Sequence, residues 1–306
     1  MASFPSPISN LIQNHKTYPT MEGAISTTSN KTVRNIIIFY IGTILLASGG
    51  GFIMASGQDA GGLLFVLSPL LMVLIVRFFL GAGWQDAGLR FNLGKQWRWY
   101  LFALLLNLGL FPLVIAVNVL LGFATLNFSV GEILPVLLAG LATQFVPRLF
   151  FALSEEWGWR GFLDPKLEQL GMADTRRHIL VGILWGIWHF PLILSTDYTN
   201  VPLAIFLPLF LVGTILLAFV FGQLRKLTHS VWPAVLLHGM ANTVGYAIVE
   251  GKFISFPNEL LGNIVPGSLT ITILYALLAL WIMRQKQVQE KTWADGNNTA
   301  VPHPTN

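Results

Sequence analysis

The sequence predicts an all-α, polytopic transmembrane helical bundle of about eight spans with both termini in the cytoplasm. Composition is the first reason, because 54% of the 306 residues are hydrophobic and only 10% are charged, whereas about a quarter of the residues of a soluble domain are charged. The second is length, since many apolar runs reach or approach the ~20 residues that a membrane-spanning helix needs. The third is a regular alternation of basic and non-basic loops between these runs.

The apolar runs define the predicted spans in chain order. They cover residues 34–56, 63–82, 99–122, 133–154, 179–196, 202–222, 232–249 and 266–284. The fifth run is short and is interrupted by Pro191, which removes a backbone donor. We therefore divide the chain into a tail at 1–33, a transmembrane domain at 34–284 and a second tail at 285–306. Both tails are polar, and we expect them to be disordered and cytoplasmic.

Loop charges predict the orientation. Lysine and arginine occur in both tails and in loops 83–98, 155–178 and 223–231, and they are absent from loops 57–62, 123–132 and 197–201. The positive-inside rule places the basic loops in the cytoplasm, and the alternation requires an even number of spans. The net charge of +4 lies in loops, so it concerns topology and gives no reason to expect a nucleic-acid partner.

The sequence contains no cysteine. This excludes disulfides, thiolate zinc sites and cysteine nucleophiles.

Two adjacent glutamates, Glu155 and Glu156, follow the fourth apolar run in the segment SEEWGWR at 154–160. A carboxylate at membrane depth is costly, so one that occurs there indicates a functional site. On a helix Glu156 and Arg160 are four residues apart and face each other, which makes them a supporting pair. Glu155 lies about 100° round the helix and is available for chemistry. Taken alone, the motif is equally well explained as a charged turn at the membrane surface.

Two histidines lie inside later apolar runs. His189 is about 11 residues into the fifth span, or roughly 16 Å deep, which is near the middle of a ~30 Å bilayer core. His238 is about 8 residues into the seventh span, or roughly 12 Å deep, and Asn242 shares its helix face. Alone, each element has a structural explanation, either as a core histidine or as a polar contact between helices. Because all three elements enter from the cytoplasmic side, we expect Glu155, His189, His238 and Asn242 to meet in one buried pocket.

Together these motifs resemble the CAAX-processing and bacteriocin-processing (CPBP) family of intramembrane proteases. Members of that family carry a double glutamate with arginine four residues after the second, then Phe-x-x-x-His and His-x-x-x-Asn elements on successive helices. Here the segments are EEWGWRGFL at 155–163, WGIWH at 185–189, LR at 224–225 and SVWPA at 230–234, which leads into HGMAN at 238–242. The resemblance covers about residues 133–250, the protease-like core. One departure is Trp185, which replaces the usual phenylalanine and keeps an aromatic side chain at that position.

The resemblance implies an intramembrane endopeptidase that hydrolyses a peptide bond. In a glutamate-dependent mechanism Glu155 is the general base and His189 orients the water, while His238 and Asn242 donate to the oxyanion. Glu156 and Arg160 support Glu155. In a metalloprotease mechanism Glu155, His189 and His238 bind zinc and leave one position open. The cofactor is thus none or zinc, and we favour the metal-free version slightly because the chain has no His-Glu-x-x-His helix.

Two other functions stay open. One is a proton- or solute-coupled transporter, in which Arg148, Glu155 and the histidines line a path, although Arg148 is more simply a structural counter-charge. The polar residues crowd spans four to seven instead of recurring in two halves, which disfavours a transporter. The other is a membrane protein of immunity or binding function that does not cleave. We expect a peptide or membrane-protein substrate, the bilayer of a bacterial plasma membrane as the location, and a site open to the cytoplasm.

Overall fold

Helices dominate the computed structural model, which describes residues 21–127, 130–250 and 252–298. The helices are α1 (Met21–Ala55), α2 (Ala60–Phe78), α3 (Trp97–Leu120), α4 (Val130–Gly158), α5 (Asp164–Gln169), α6 (Asp174–Trp188), α7 (Phe190–Ser195), α8 (Leu203–Thr228), α9 (Trp232–Glu250) and α10 (Leu269–Asn298). A π-helical segment, Trp159–Leu163, joins α4 to α5. Two short strands, β1 (Thr125–Leu126) and β2 (Ile254–Ser255), pair antiparallel. The predicted all-α, polytopic class is confirmed.

Each predicted span coincides with a helix, and the fifth corresponds to α6 and α7 together. Within the described ranges, six helical stretches are long and apolar enough to cross a membrane: Ser29–Ala55, Ala60–Phe78, Trp97–Leu120, Gly131–Gln169, Asp174–Ser195 and Leu203–Thr228. The apolar part of α10, Leu269–Gln285, is shorter. The chain is therefore an integral membrane protein. The two further spans, in α9 and α10, and the cytoplasmic placement of the termini stay predictions.

The first and last helices extend past the predicted limits of the transmembrane domain. α1 begins at Met21, inside the predicted tail 1–33, and α10 continues to Asn298, inside the predicted tail 285–306. Once an apolar segment has formed a helix, adding further turns is much easier than nucleating a new helix. The limits at 33 and 284 are thus those of the apolar segments, not of the helices. The remainder of each predicted tail, 1–20 and 299–306, lies outside the described residues.

Contacts with α2 fix the end of α4 that carries the glutamates. Ser154 Oγ donates a hydrogen bond to the carbonyl oxygen of Val66 at 2.7 Å. Four residues later, a Cβ on Gly158 would lie only 2.6 Å from the Cβ of Pro69, so the two helices are in close contact. The adjacent glutamates are therefore held between helices and not at a free helix end.

Two glycines allow α6 to lie directly against α8. A Cβ on Gly182 would lie 2.5 Å from the Cα of Ile215, and one on Gly186 would lie 2.5 Å from a methyl carbon of Leu211. Only a residue without a side chain permits this approach. The contact sets the position of His189, which follows Gly186 by three residues.

The π-helical segment lies directly after the glutamates and is held by two arginines. In a π-helix the backbone hydrogen bonds run from residue i to i+5, and here the amide of Asp164 donates to the carbonyl oxygen of Trp159. Arg77 Nη2 donates to the carbonyl oxygen of Gly161 at 2.5 Å, and Arg225 Nε donates to that of Arg160 at 3.2 Å. The wide turn is therefore tied to α2 and α8.

Candidate active site

A cavity of about 780 Å³ lies between α2, α3, α4, α6, α8 and α9. Most of its lining is apolar, with a few polar and charged side chains. Glu155, His189, His238 and Asn242 all line it. The four side chains that the sequence singles out thus share one cavity, to which α4, α9 and the end of α6 contribute.

Glu155 is buried in the cavity wall, with 5% of its surface exposed. Its Oε2 accepts a hydrogen bond from the indole Nε1 of Trp185 at 3.1 Å. Its Oε1 lies 3.8 Å from Nε2 of His238, which is too long for a hydrogen bond. One carboxylate oxygen is therefore held by a donor, and the other faces a histidine across a gap.

Glu156 and Arg160 form the pair that their spacing predicts. Arg160 Nη1 donates to Oε1 of Glu156 at 3.0 Å and lies 3.0 Å from Oε2. Both residues are fully buried. The guanidinium also lies 4.6 Å from the ring centroids of both Trp185 and Phe221. Burying a charge is costly unless it is paired, and here a carboxylate and two aromatic faces compensate the cation.

His238 connects the two glutamates. Its Nδ1 lies 2.9 Å from Oε1 of Glu156, and because a carboxylate only accepts, Nδ1 must be the donor. Phe221 stacks on the imidazole at 5.8 Å between centroids. These contacts fix the ring so that its other nitrogen, Nε2, is directed toward Glu155. The sequence did not predict the contact with Glu156.

His189 occupies the break between α6 and α7. Its Nδ1 lies 2.9 Å from the carbonyl oxygen of Trp185, so Nδ1 carries a hydrogen and the neutral ring keeps a lone pair on Nε2. The rings of Trp188 and Phe210 contact the imidazole edge-on at 4.7 and 5.2 Å. His189 is therefore oriented by one hydrogen bond and by aromatic packing.

Asn242 lies one turn after His238 on α9 and also lines the cavity. Within the described part of the chain, no hydrogen bond holds its side-chain amide, in contrast to the buried Asn107, whose Nδ2 donates to the carbonyl oxygen of Leu237 at 2.8 Å. The Asn242 amide is thus available to a molecule in the cavity.

Arg148 lines the same cavity, two turns before Glu155 on α4. Its guanidinium carbon lies 3.8 Å from the ring centroid of Tyr246, on α9. This contact joins α4 to α9, and the role of Arg148 as a structural counter-charge stays a prediction.

The loop between α7 and α8 lines another part of the cavity through Tyr198. Burial raises the pKa of the Tyr198 phenol well above its ordinary value, so the group is neutral. The loop is fixed by Glu259, whose Oε2 accepts hydrogen bonds from Thr199 Oγ1 and from the amide of Asn200, both at 3.0 Å. This wall of the cavity is therefore held in place by hydrogen bonds.

The residues named for zinc do not form a metal site in this geometry. In the ranges 21–127, 130–250 and 252–298, no group of three or more histidine, aspartate or glutamate side chains is arranged to hold a metal ion. The hydrogen bonds between described residues engage Oε2 of Glu155 and Nδ1 of both histidines, so they do not themselves occupy Oε1 of Glu155 or the two Nε2 atoms. Since the described residues hold no such group, we derive no step through a metal, and the zinc version stays a prediction.

The fold and the site together define an integral membrane protein whose helical bundle encloses a cavity lined by Glu155, His189 and His238. Residues 144–244 match the family described as Type II CAAX prenyl endopeptidase Rce1-like. A protein of Methanococcus maripaludis, CAAX prenyl protease 2, is 32% identical over 167 residues. The aligned part is 50% of this chain and 59% of that relative, so less than two thirds of the relative is covered. The family match contains the positions of Glu155, His189, His238 and Asn242. The comparisons therefore support the resemblance of this core to CAAX-processing proteases.

Proposed function

We propose that this protein is an intramembrane endopeptidase in which Glu155 activates water for hydrolysis of a peptide bond. One observation carries the proposal: a carboxylate buried in the wall of a large cavity has one oxygen held by a donor, and the other accepts no hydrogen bond from a described residue. A general base needs this arrangement, because its reactive oxygen must be oriented and still reachable by water.

The first step is attack on the substrate carbonyl. Oε1 of Glu155 takes a proton from a water molecule while the water oxygen bonds to the carbonyl carbon, and the carbonyl oxygen becomes an oxyanion. The lone pair on Nε2 of His189 accepts the second hydrogen of the same water and so orients it. Donors fixed in advance stabilise such an oxyanion strongly in a dry site.

The donors for the oxyanion are the Asn242 amide and Nε2 of His238 when that nitrogen carries a hydrogen. Nε2 lies too far from Glu155 to be engaged there, and no hydrogen bond within the described residues holds the amide of Asn242. In the second step Glu155 transfers the proton to the leaving nitrogen, the carbon–nitrogen bond breaks, and the base is regenerated. Atoms and charge balance without a further reactant.

The relatives suggest the substrate class. The matched family and the M. maripaludis protein are both named for CAAX prenyl substrates. We propose that this chain cleaves a peptide or membrane protein that ends in a prenylated CAAX-type sequence. The largely apolar lining of the cavity supports a substrate with apolar side chains.

The test is hydrolysis of a fluorogenic prenylated peptide by the purified full-length protein in detergent. We expect Glu155→Gln to lower kcat by about 100- to 10,000-fold, the range for loss of general acid–base catalysis. Glu168→Gln is the matched control, because the Glu168 side chain is 54% exposed and lies outside the cavity. Full activity of Glu155→Gln would refute the assignment. If no peptide is cleaved and solute flux into proteoliposomes depends on Glu155, the transporter alternative is correct.

A further inference from the structure

We infer that Trp185 is a positioning residue: its indole N–H holds Oε2 of Glu155 and thereby presents Oε1 to the cavity. The inference rests on the proposed function for its kinetic consequence, although the contact itself does not. From the sequence, Trp185 is only an aromatic side chain in the place of the phenylalanine of the family pattern. The structure gives it a role that phenylalanine does not have, because the phenyl ring has no donor.

The contact is a direct hydrogen bond between buried groups. Nε1 of Trp185 lies 3.1 Å from Oε2 of Glu155, and Trp185 is only 4% exposed. Among the residues that the structure describes, Trp185 is the one direct hydrogen-bond donor to this carboxylate. A hydrogen bond to an ionised group is stronger than one between neutral groups. Without it, no hydrogen bond from a described residue would orient the Glu155 side chain.

The indole is itself held in place on several sides. The Arg160 guanidinium lies over the ring at 4.6 Å. Phe221 and His238 contact it edge-on, with centroids at 5.7 and 5.8 Å. A ring packed in this way has one rotamer, so its N–H is a fixed donor and not an occasional one. The packing around Trp185 therefore fixes the indole N–H, and the indole N–H in turn orients Glu155.

The same residue also orients the second cavity base. The carbonyl oxygen of Trp185 accepts from Nδ1 of His189 at 2.9 Å. The side chain of Trp185 thus positions Glu155, while its backbone positions His189. A side-chain substitution at 185 removes the first contact and leaves the second in place, which allows the two effects to be separated.

The kinetic test is Trp185→Phe, which removes the N–H and keeps an aromatic ring. We expect kcat to fall by about 10- to 100-fold, from the loss of one hydrogen bond to a charged group, with KM changed less than about twofold. Trp232→Phe is the matched control: Nε1 of Trp232 donates to the carbonyl oxygen of Leu89 at 2.8 Å, outside the cavity. It loses a similar hydrogen bond, and its kcat should stay within about twofold.

A second variant separates loss of the donor from loss of ring volume. Benzothienylalanine incorporated at position 185 replaces the N–H by sulfur in a ring of similar size, so packing against Arg160 and Phe221 is retained. It should reproduce the fall in kcat even if Trp185→Phe folds poorly. Wild-type kcat for this variant would overturn the inference.

The contact is also tested without turnover. In protein labelled with ¹⁵N-tryptophan, Trp185→Phe identifies the indole signal of Trp185 by its disappearance, and benzothienylalanine at 185 does so independently. Glu155→Gln should move that signal while the signal of Trp232 stays in place. If the signal moves but the wild type cleaves no peptide, the contact stands and the proposed function fails. If the signal does not move, the inference is wrong.

Discussion

Nδ1 of His238 lies 2.9 Å from Oε1 of Glu156, and this contact joins α9 to the end of α4. Because of this contact, the two neighbouring glutamates have different hydrogen-bond partners. Glu156 is committed to Arg160 and His238, whereas Glu155 has a single hydrogen-bond donor among the described residues and faces the cavity. The two carboxylates should therefore respond differently to the same substitution.

Glu155→Gln and Glu156→Gln are expected to differ in stability. Glu156→Gln leaves the buried guanidinium of Arg160 without its counter-charge, and breaking a buried pair in this way costs about 3–5 kcal/mol. Glu155→Gln removes a buried carboxylate whose nearest cationic partner is the His238 imidazole at 3.8 Å, so the melting temperature should fall less than in Glu156→Gln. Thermal unfolding of both variants in the same detergent measures the difference. Equal losses of stability would show that Glu155 is also a structural residue.

Asn242→Ala is expected to remove activity without removing stability. Losing one oxyanion donor costs about 100- to 1,000-fold in kcat, and the amide makes no hydrogen bond to another described residue whose loss would destabilise the fold. Asn107→Ala provides the contrast, because it breaks a buried hydrogen bond to the carbonyl oxygen of Leu237. That variant should unfold at a lower temperature. A large loss of stability in Asn242→Ala would contradict this division.

Chelation is expected to leave peptide hydrolysis unchanged, since no group of three or more histidine, aspartate or glutamate side chains in the described residues is arranged to hold a metal ion. The measurement is activity after extended dialysis against 1,10-phenanthroline, with metal content determined on the same sample. Loss of activity that returns on addition of zinc, but not of calcium, would support the metalloprotease mechanism and require the cavity side chains to rearrange.

Gly182→Ala should separate α6 from α8. The added Cβ would lie 2.5 Å from the Cα of Ile215, and such overpacking costs about 1–3 kcal/mol. Because His189 follows on the same helix, activity should fall together with stability. Gly109→Ala is the control: its Cβ meets nothing within 4 Å on α3, and alanine favours a helix over glycine. Normal stability of Gly182→Ala would mean that the helices move apart easily.

Sequence spacing was sufficient for features within one helix. The Glu156–Arg160 pair follows from a separation of four residues, and the placement of His238 and Asn242 on one face of α9 follows from the same rule. Sequence spacing does not predict contacts between different helices. The indole of Trp185 meets Glu155 across 30 positions of the chain, and His238 meets Glu156 across 82. No periodicity encodes such pairs, because they depend on how the helices pack.

Hydropathy predicts the position of the membrane segments. It does not predict where the helices end or where their hydrogen-bonding pattern changes. A search for apolar segments does not detect the polar extension of α10 to Asn298 or the start of α1 at Met21. Pro191 predicts the break near His189. Apolarity alone does not decide whether α9 and α10 also cross the membrane. The π-helical segment has no signature in composition.

That π-helical segment sets the rotation of the helix that follows the glutamates. A wide turn contains one residue more than an α-helical turn, so the same residues in ordinary α-helical winding would rotate α5 by about 100° about its axis. Asp164 would then lose its ion pair with Arg177 on α6. Lys166 would lose its ion pair with Asp86 in the loop between α2 and α3. The direction of Glu155 would be unaffected. The one extra residue in the wide turn therefore keeps α5 in the orientation that meets these partners. The preceding helix, α4, still directs Glu155 into the cavity.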